Sequence, residues 1–310
     1  MSRSAKAHLL LVLVTLIWGS TFVLIKKALN NSSPQALNAA RMWLAAILLG
    51  LYYRKQMAKL TRQALIAGTI VGFFLYLGYA FQTAGLRLTT PSKSAFLTGT
   101  STVMVPLFLV LIWRTHIHLW RVVGIALALA GLFLMTVPGG GSGLADFAKV
   151  NSGDLLTIGC AVSFAFQIIF LVRASQRFPF EQMAVLQIAT AAVLMAVSVP
   201  LLEKPHFQPT SIVIAAVLIT GILGTAVAFT VQAWAQQFTP ATHTALIFNM
   251  EPVFAWLTSF IYLKERLGVR AGVGALLILG GVLVSELLGQ VEQPDEKQPT
   301  DGELQVRVQG

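Results

Sequence analysis

The sequence predicts an all-α, polytopic membrane protein of ten transmembrane helices, built as two inverted five-helix repeats. Three observations carry that expectation. Hydrophobic residues fill 56% of the 310 positions and charged residues only 11%, against about a quarter charged in a soluble domain. Apolar runs of about 20 residues, the length that crosses about 30 Å of hydrocarbon, recur from end to end. The second half of the chain also aligns with the first. A membrane barrel would instead need alternating segments of about 10 residues, and none is evident.

The first span is expected at 7–25. The stretch MSRSAKAHLLLVLVTLIWGSTF has the charge and apolarity of a signal peptide but no small-residue cleavage site, so it reads as a retained helix. NNSSP breaks the chain before the second span, 36–53. That span holds Arg41, about 8 Å inside at 1.5 Å per residue. Its long stem either snorkels to the surface or presents a fixed positive charge to a cavity. The third and fourth spans, 63–86 and 94–113, carry polar residues three or four apart, hence on one face. Tyr76, Tyr79 and Thr83 share such a face with Gln82 beside them, and Ser94, Thr98 and Ser101 form another. The fifth span is 119–137. PGGGSG then reads as a flexible linker; it lacks the lysine of a phosphate-binding loop, and no G-x-x-x-x-G-K-[ST] appears elsewhere.

The sixth and seventh spans are expected at 153–172 and 181–201, and EKPHFQP leads to the eighth at 211–233. There Thr225, Phe229, Gln232 and Gln236 repeat the helical spacing. QQFTPATH precedes the ninth, 243–263, which carries Glu251 and Pro252 near its middle. The tenth is 269–288. From Gln290 the chain turns acidic, with Glu292, Asp295, Glu296, Asp301 and Glu303 among prolines, and should be a disordered cytoplasmic tail. The units are therefore a first repeat, 7–138, a second, 150–288, and the tail, 289–310. Lys and Arg favour one side, most clearly through the first four loops, which sets both termini inside.

The repeat is legible residue by residue. Trp18 to Arg41 falls on Phe164 to Gln187 at an offset of 146, and from the third span on the offset is 150. Gln82 then meets Gln232, Ala95 meets Ala245, and Gly124 with Gly131 meets Gly274 with Gly281. Five spans is an odd number, so the second copy runs through the membrane upside down. Such inverted repeats mark secondary transporters, whose site lies near the midplane between the halves.

Glu251 is the acid that stands out. Asp154, Glu181, Glu203, Glu265 and Glu286 lie near span ends and Asp146 in a loop, whereas Glu251 is mid-span. A charge at that depth costs roughly 2.5–3.5 kcal/mol on insertion scales, so it should face protein or water. Pro252 cannot donate to the Phe248 carbonyl. A free carbonyl beside a protonatable acid makes a coordination point for a substrate amine or a proton; otherwise Glu251 only ties a kinked helix to a neighbour. The expected substrate-binding set is Trp18, Tyr76, Tyr79, Gln82, Thr98, Ser101, Phe164, Gln167, Phe229, Gln232, Phe248 and Glu251, with Glu251 and Arg41 as coupling or fixed charges. The alternative for the Ser, Thr and Gln residues is hydrogen bonding between helices.

Other classes fit less well. The net charge of +10 is spread over short loops with no basic face, which argues against nucleic acid. A single cysteine, Cys160, excludes a disulfide framework and a multi-cysteine metal site. His8, His116, His118, His206 and His243 sit at span ends or in loops, so no catalytic residues, no metal site and no cofactor are expected. The expected partners are a small-molecule substrate and the lipid bilayer; the sequence does not specify an oligomeric state.

WGSTF in the first span, Ser33 and Pro34 followed by Arg41 in the second, and EPVFAWLTSFIYLKERL followed by GALLILGGVLV resemble the EamA-type transporters of the drug/metabolite transporter superfamily. The resemblance covers roughly residues 7 to 288. It implies a ten-helix bundle that moves small metabolites, amino-acid-like or other small organic solutes, across the inner membrane of a bacterium. One departure is that the first repeat has WRTHIHLW where the second has LKERLGV, so Glu265 has no counterpart. Export is the expected direction, with proton coupling through Glu251 as a hypothesis within it. The alternative is a membrane-embedded sensor or assembly factor on the same fold.

Overall fold

The computed structural model describes residues 2–86, 88, 91–137, 151–263 and 268–289. The GGGSG linker, Glu265 and the tail from residue 290 lie outside the described residues. In chain order the helices are α1 (Arg3–Ala28), α2 (Pro34–Tyr52), the single turn α3 (Arg54–Met57), α4 (Arg62–Leu86), α5 (Pro91–Gly99), α6 (Ser101–Trp113) and α7 (Leu119–Thr136). The second half follows with α8 (Ser152–Arg177), α9 (Phe180–Leu202), α10 (Ser211–Gly221), a π-helical stretch (Ile222–Val227), α11 (Ala228–Ala235), α12 (Ala241–Phe248), α13 (Glu251–Leu263) and α14 (Val269–Leu288).

Eight helices among the described residues are long and apolar enough to cross a membrane. They correspond to the first, the third to eighth and the tenth expected spans. The other two are α2, 19 residues long and carrying Arg41, and the ninth span. The ninth was expected as one kinked helix, 243–263; it is two helices, α12 and α13. The fourth span divides likewise into α5 and α6 at Thr100.

The faces turned outward are apolar. Leu51, Leu111, Leu201, Leu276 and Leu287 are each more than 60% exposed. Large side chains of this kind around the whole circumference suit a hydrocarbon solvent. The buried side carries small and polar residues as well, so helices approach closely and backbone polar groups stay within their own helices.

The two ends of the bundle sort by loop. At one end, Gln208 N–H donates to the Asn31 carbonyl and Ser33 N–H to that of His206. There Glu203 accepts from the Ser33 hydroxyl (2.5 Å) and the Ala36 N–H (3.0 Å), capping the start of α2 with a carboxylate. At the other end, the Gln182 amide reaches the Gln56 carbonyl (2.8 Å) and the Gln237 amide reaches that of Ser175 (2.8 Å). Loops that follow odd-numbered expected spans thus meet at one end and those that follow even-numbered ones at the other.

The inversion is visible where α7 meets α14. A Cβ on Gly124 would lie 2.5 Å from the Gly281 carbonyl oxygen, and one on Gly274 would lie 2.6 Å from that of Gly131. Gly131 and Gly281 likewise abut the carbonyls of Gly274 and Gly124. Gly124 and Gly131 are the repeat counterparts of Gly274 and Gly281. Each residue of one copy thus touches the counterpart of the other, the reciprocal contact that a two-fold axis produces. Low contact numbers pair with high ones, so the helices are antiparallel.

Candidate functional site

Two breaks at related positions lie at the centre of the molecule. Thr100 separates α5 from α6, and Asn249 with Met250 separates α12 from α13. Thr100 and Met250 are counterparts at the offset of 150, so Ser101 and Glu251 open the second half-helix of each copy. The first N–H groups of a helix lack intrahelical acceptors and carry partial positive charge, which favours a carboxylate there. Pro252 comes next, where its missing N–H forfeits no bond. This is why the chain breaks instead of kinking. Asn249 and Met250 bond three residues back, to Leu246 and Ile247, and Phe254 restarts the ladder on the Met250 carbonyl. Gly19 of α1 covers the break: a Cβ there would sit 2.9 Å from the Glu251 carbonyl oxygen and 2.8 Å from Ala255 N.

An aromatic frame surrounds the break and follows the two-fold. Trp18 meets Phe229 at a centroid distance of 5.6 Å, and the counterpart pair, Phe164 and Tyr79, also meets at 5.6 Å. Trp18 further contacts Phe248 at 5.0 Å, and Tyr76 packs in the same cluster as Trp18, Tyr79 and Phe164. The π-helical stretch adds an asymmetric element. Its wider turns redirect backbone carbonyls, and that of Gly224 accepts the Trp18 indole N–H at 2.8 Å.

The polar groups break the two-fold. Gln167 donates to Gln187 at 3.0 Å, and Gln232 donates to Gln167 at 3.4 Å. The counterpart of Gln187 is Arg41. Arg41 is 7% exposed and its guanidinium stands 4.7 Å over the Tyr79 ring. It also lies near enough to Glu251 for the two charges to attract. Several buried polar atoms have no protein partner: Arg41 Nε, Gln187 Nε2, Gln232 Oε1 and Asn249 Nδ2. Buried groups of this kind are normally satisfied, so water or a solute is the natural complement.

The remaining expected residues lie along the same helices. Thr98 Oγ1 is 3.8 Å from Cys160 Sγ, and Gln82 and Ser101 are partly buried on the stripes of Tyr79 and Thr98. Gln187 and Asn249 were not in the expected set. Gln187 carried a signal, its alignment with Arg41; Asn249 gained its place only through the helix break. Two clefts of about 530 and 560 Å³ open at the end of the bundle near the N-terminus. The first is lined by Ser4, Arg173 and Gln237 among others, the second by Phe170, Arg173 and Arg177.

Comparison with known proteins agrees with this architecture. Residues 5–137 and 151–287 each match the model of a family described as the EamA-like transporter family. An uncharacterized transporter of Archaeoglobus fulgidus is 32% identical over 281 residues, covering 91% of this chain and 86% of that protein. The uncharacterized transporter YoaV of Bacillus subtilis is 22% identical over 284 residues, covering 90% and 96%. The S-adenosylmethionine/S-adenosylhomocysteine transporter of Chlamydia muridarum is 28% identical over 159 residues, 49% of each chain. A solved crystal structure superposes with a TM-score of 0.76 at 21% identity, covering 92% of this chain and 98% of the other.

Proposed function

The chain belongs to the EamA-like transporter family, and on that premise we propose that it is a secondary transporter exporting small organic solutes, amino-acid-like ones foremost. The proposal includes proton-coupled alternating access across a bacterial inner membrane, with both termini in the cytoplasm. The observation that carries it is the pair of half-helices broken at repeat-related positions, with Glu251 opening one of them and Arg41 close by. Discontinuous helices at the repeat interface are where secondary transporters bind substrate and coupling ions.

In this reading Glu251 holds either a proton or a substrate ammonium group, and the exchange between the two couples the fluxes. Arg41 receives the substrate carboxylate. Trp18, Tyr79, Phe164, Phe229 and Phe248 form the apolar wall, and Gln167, Gln187 and Gln232 supply amide groups that select among polar side chains. Alternating access follows from rocking one repeat against the other, with the α7–α14 contact as the axis. S-adenosylmethionine is itself an amino-acid zwitterion, so it belongs in the panel of solutes tested.

The test compares metabolites in medium and cells for wild type, Glu251→Gln and an empty vector at matched membrane levels. Zwitterionic solutes should leave wild-type cells and not the variant. Equal export by both proteins would make Glu251 structural, and unchanged pools throughout would favour a sensor or assembly role.

A further inference from the structure

From the geometry of three side chains far apart in sequence, we infer that the end of the bundle near the N-terminus holds a site for a divalent transition-metal ion of the Zn²⁺ type. His8 on α1, His243 on α12 and Glu286 on α14 each present a ligand atom, all within 4.8 Å of one another. His8 Nδ1 stands 2.7 Å from Glu286 Oε1, and His243 Nδ1 stands 3.4 Å from Glu286 Oε2. The two imidazoles meet edge to face with centroids 5.7 Å apart. Two imidazole nitrogens and one carboxylate oxygen form a donor set that Zn²⁺ accepts, with a fourth position left open.

The Nε2 atoms of both His8 and His243 are buried without a hydrogen-bond partner, and His243 is 5% exposed. An imidazole that sits buried only to pack, or only to bond Glu286 through one nitrogen, leaves its other nitrogen at a desolvation cost. The Nδ1 atoms that face Glu286 are the ones offered to the ion, and ligation there would fix each ring's tautomer with Nε2–H as the remaining donor. The site is reachable, since the His8 and Glu286 side chains are 17% and 29% exposed. Arg121 of α7 also lies near enough to interact with Glu286 and His243. Its Nε donates to the Gly289 carbonyl at 3.1 Å. Its charge weakens cation binding, so the site should favour an ion that gains covalency from imidazole over Mg²⁺ or Ca²⁺, which prefer oxygen. Sequence reading missed this because the spacing of His8, His243 and Glu286 follows no metal motif; the fold alone unites them.

The test uses untagged full-length protein in detergent. Zn²⁺ should raise the melting temperature by about 5 °C at saturation, and Mg²⁺ should not. The shift should vanish in His8→Ala and in His243→Ala, and persist when exposed His116, His118 and His206 are replaced together. Co²⁺ should give tetrahedral absorption bands in wild type. His8→Cys, a change at a partly exposed position, should add a sulfur-to-cobalt charge-transfer band. No Zn²⁺ shift in wild type, an equal shift in His8→Ala, or no such band in folded His8→Cys would each overturn the site.

Discussion

The α7–α14 contact and the central cluster obey the repeat in opposite ways. At the contact, four glycines touch in reciprocal pairs and the backbone approaches are equivalent, although Ser285 and Ile278 of one copy stand where the other has Met135 and Ala128. At the centre, the aromatic pairs Trp18–Phe229 and Phe164–Tyr79 keep the symmetry, and the polar groups abandon it: Arg41 against Gln187, Glu251 against Ser101, a π-helical stretch against the unbroken α4. A hinge between inverted repeats needs equivalent surfaces, because the motion exchanges their roles. A binding site needs the opposite, since one ligand has one orientation and one charge pattern. In the proposed function, the difference separates the residues that join the two repeats from those that would read the cargo.

The largest effect is expected where symmetry is strictest. Gly131→Leu would drive a side chain into the Gly274 carbonyl and the Ile278 backbone, costing about 3 kcal/mol or more. Gly281→Leu, its counterpart, would meet the Gly124 carbonyl and the Ala128 backbone in the same way and should also cost about 3 kcal/mol or more. Gly280→Leu, with nothing within 4 Å of its Cβ position, should be close to neutral. Thermal melts in detergent measure all three, and a large gap between the two counterparts would break the equivalence claimed for this contact.

Glu251→Gln comes next and should cut substrate flux roughly hundredfold, because in the proposed function it removes the group that exchanges a proton for the substrate ammonium; it also costs stability by leaving the buried Arg41 charge uncompensated. Ser101→Ala, at the counterpart position, removes a partly buried neutral hydroxyl and no charge, and should change flux by less than about twofold. If the two substitutions cut flux equally in vesicles at matched protein levels, the polar asymmetry is not functional. Adding Arg41→Gln to Glu251→Gln should recover part of the lost stability, which a double-mutant cycle would detect.

Much of this was legible before the structure. Alternation of apolar runs and breakers located the spans, and the offsets of 146 and 150 paired Trp18 with Phe164, Tyr79 with Phe229 and the glycines with each other. Glu251 was conspicuous because charge in hydrocarbon is costly. What sequence could not give was anything set by packing between distant helices. A proline at 252 is compatible with a kink or a break; the chain breaks at Asn249 and Met250, with Gly19 of a distant helix packed against the restart. The burial of Arg41 depended on Tyr79 lying beneath it. The His8, His243 and Glu286 cluster required three helix ends to meet, which no local pattern encodes.

Arg41→Gln makes the two repeats alike at this position. It removes a cation from the Tyr79 ring and, in the proposed function, the anchor for a substrate carboxylate. Apparent affinity for carboxylate-bearing solutes should fall roughly tenfold, with little change for amines lacking the carboxylate. Competition assays across paired amino acids and their decarboxylated analogues decide this, and an equal loss for both would assign Arg41 to the fold.

The smallest expected effect probes the π-helical stretch. Trp18→Phe keeps a ring against Phe229 and Phe248 but deletes the N–H that reaches the Gly224 carbonyl. The loss should be about 1 kcal/mol of stability, the net worth of one such bond. The reverse change in the other repeat, Phe164→Trp, should gain nothing. There α4 runs on as α-helix through residues 72–77, where its carbonyls are held by their own ladder, so the new indole N–H finds no equivalent acceptor. A stabilising Phe164→Trp would mean that α4 opens as readily as its counterpart. The site would then be more symmetric than its resting structure.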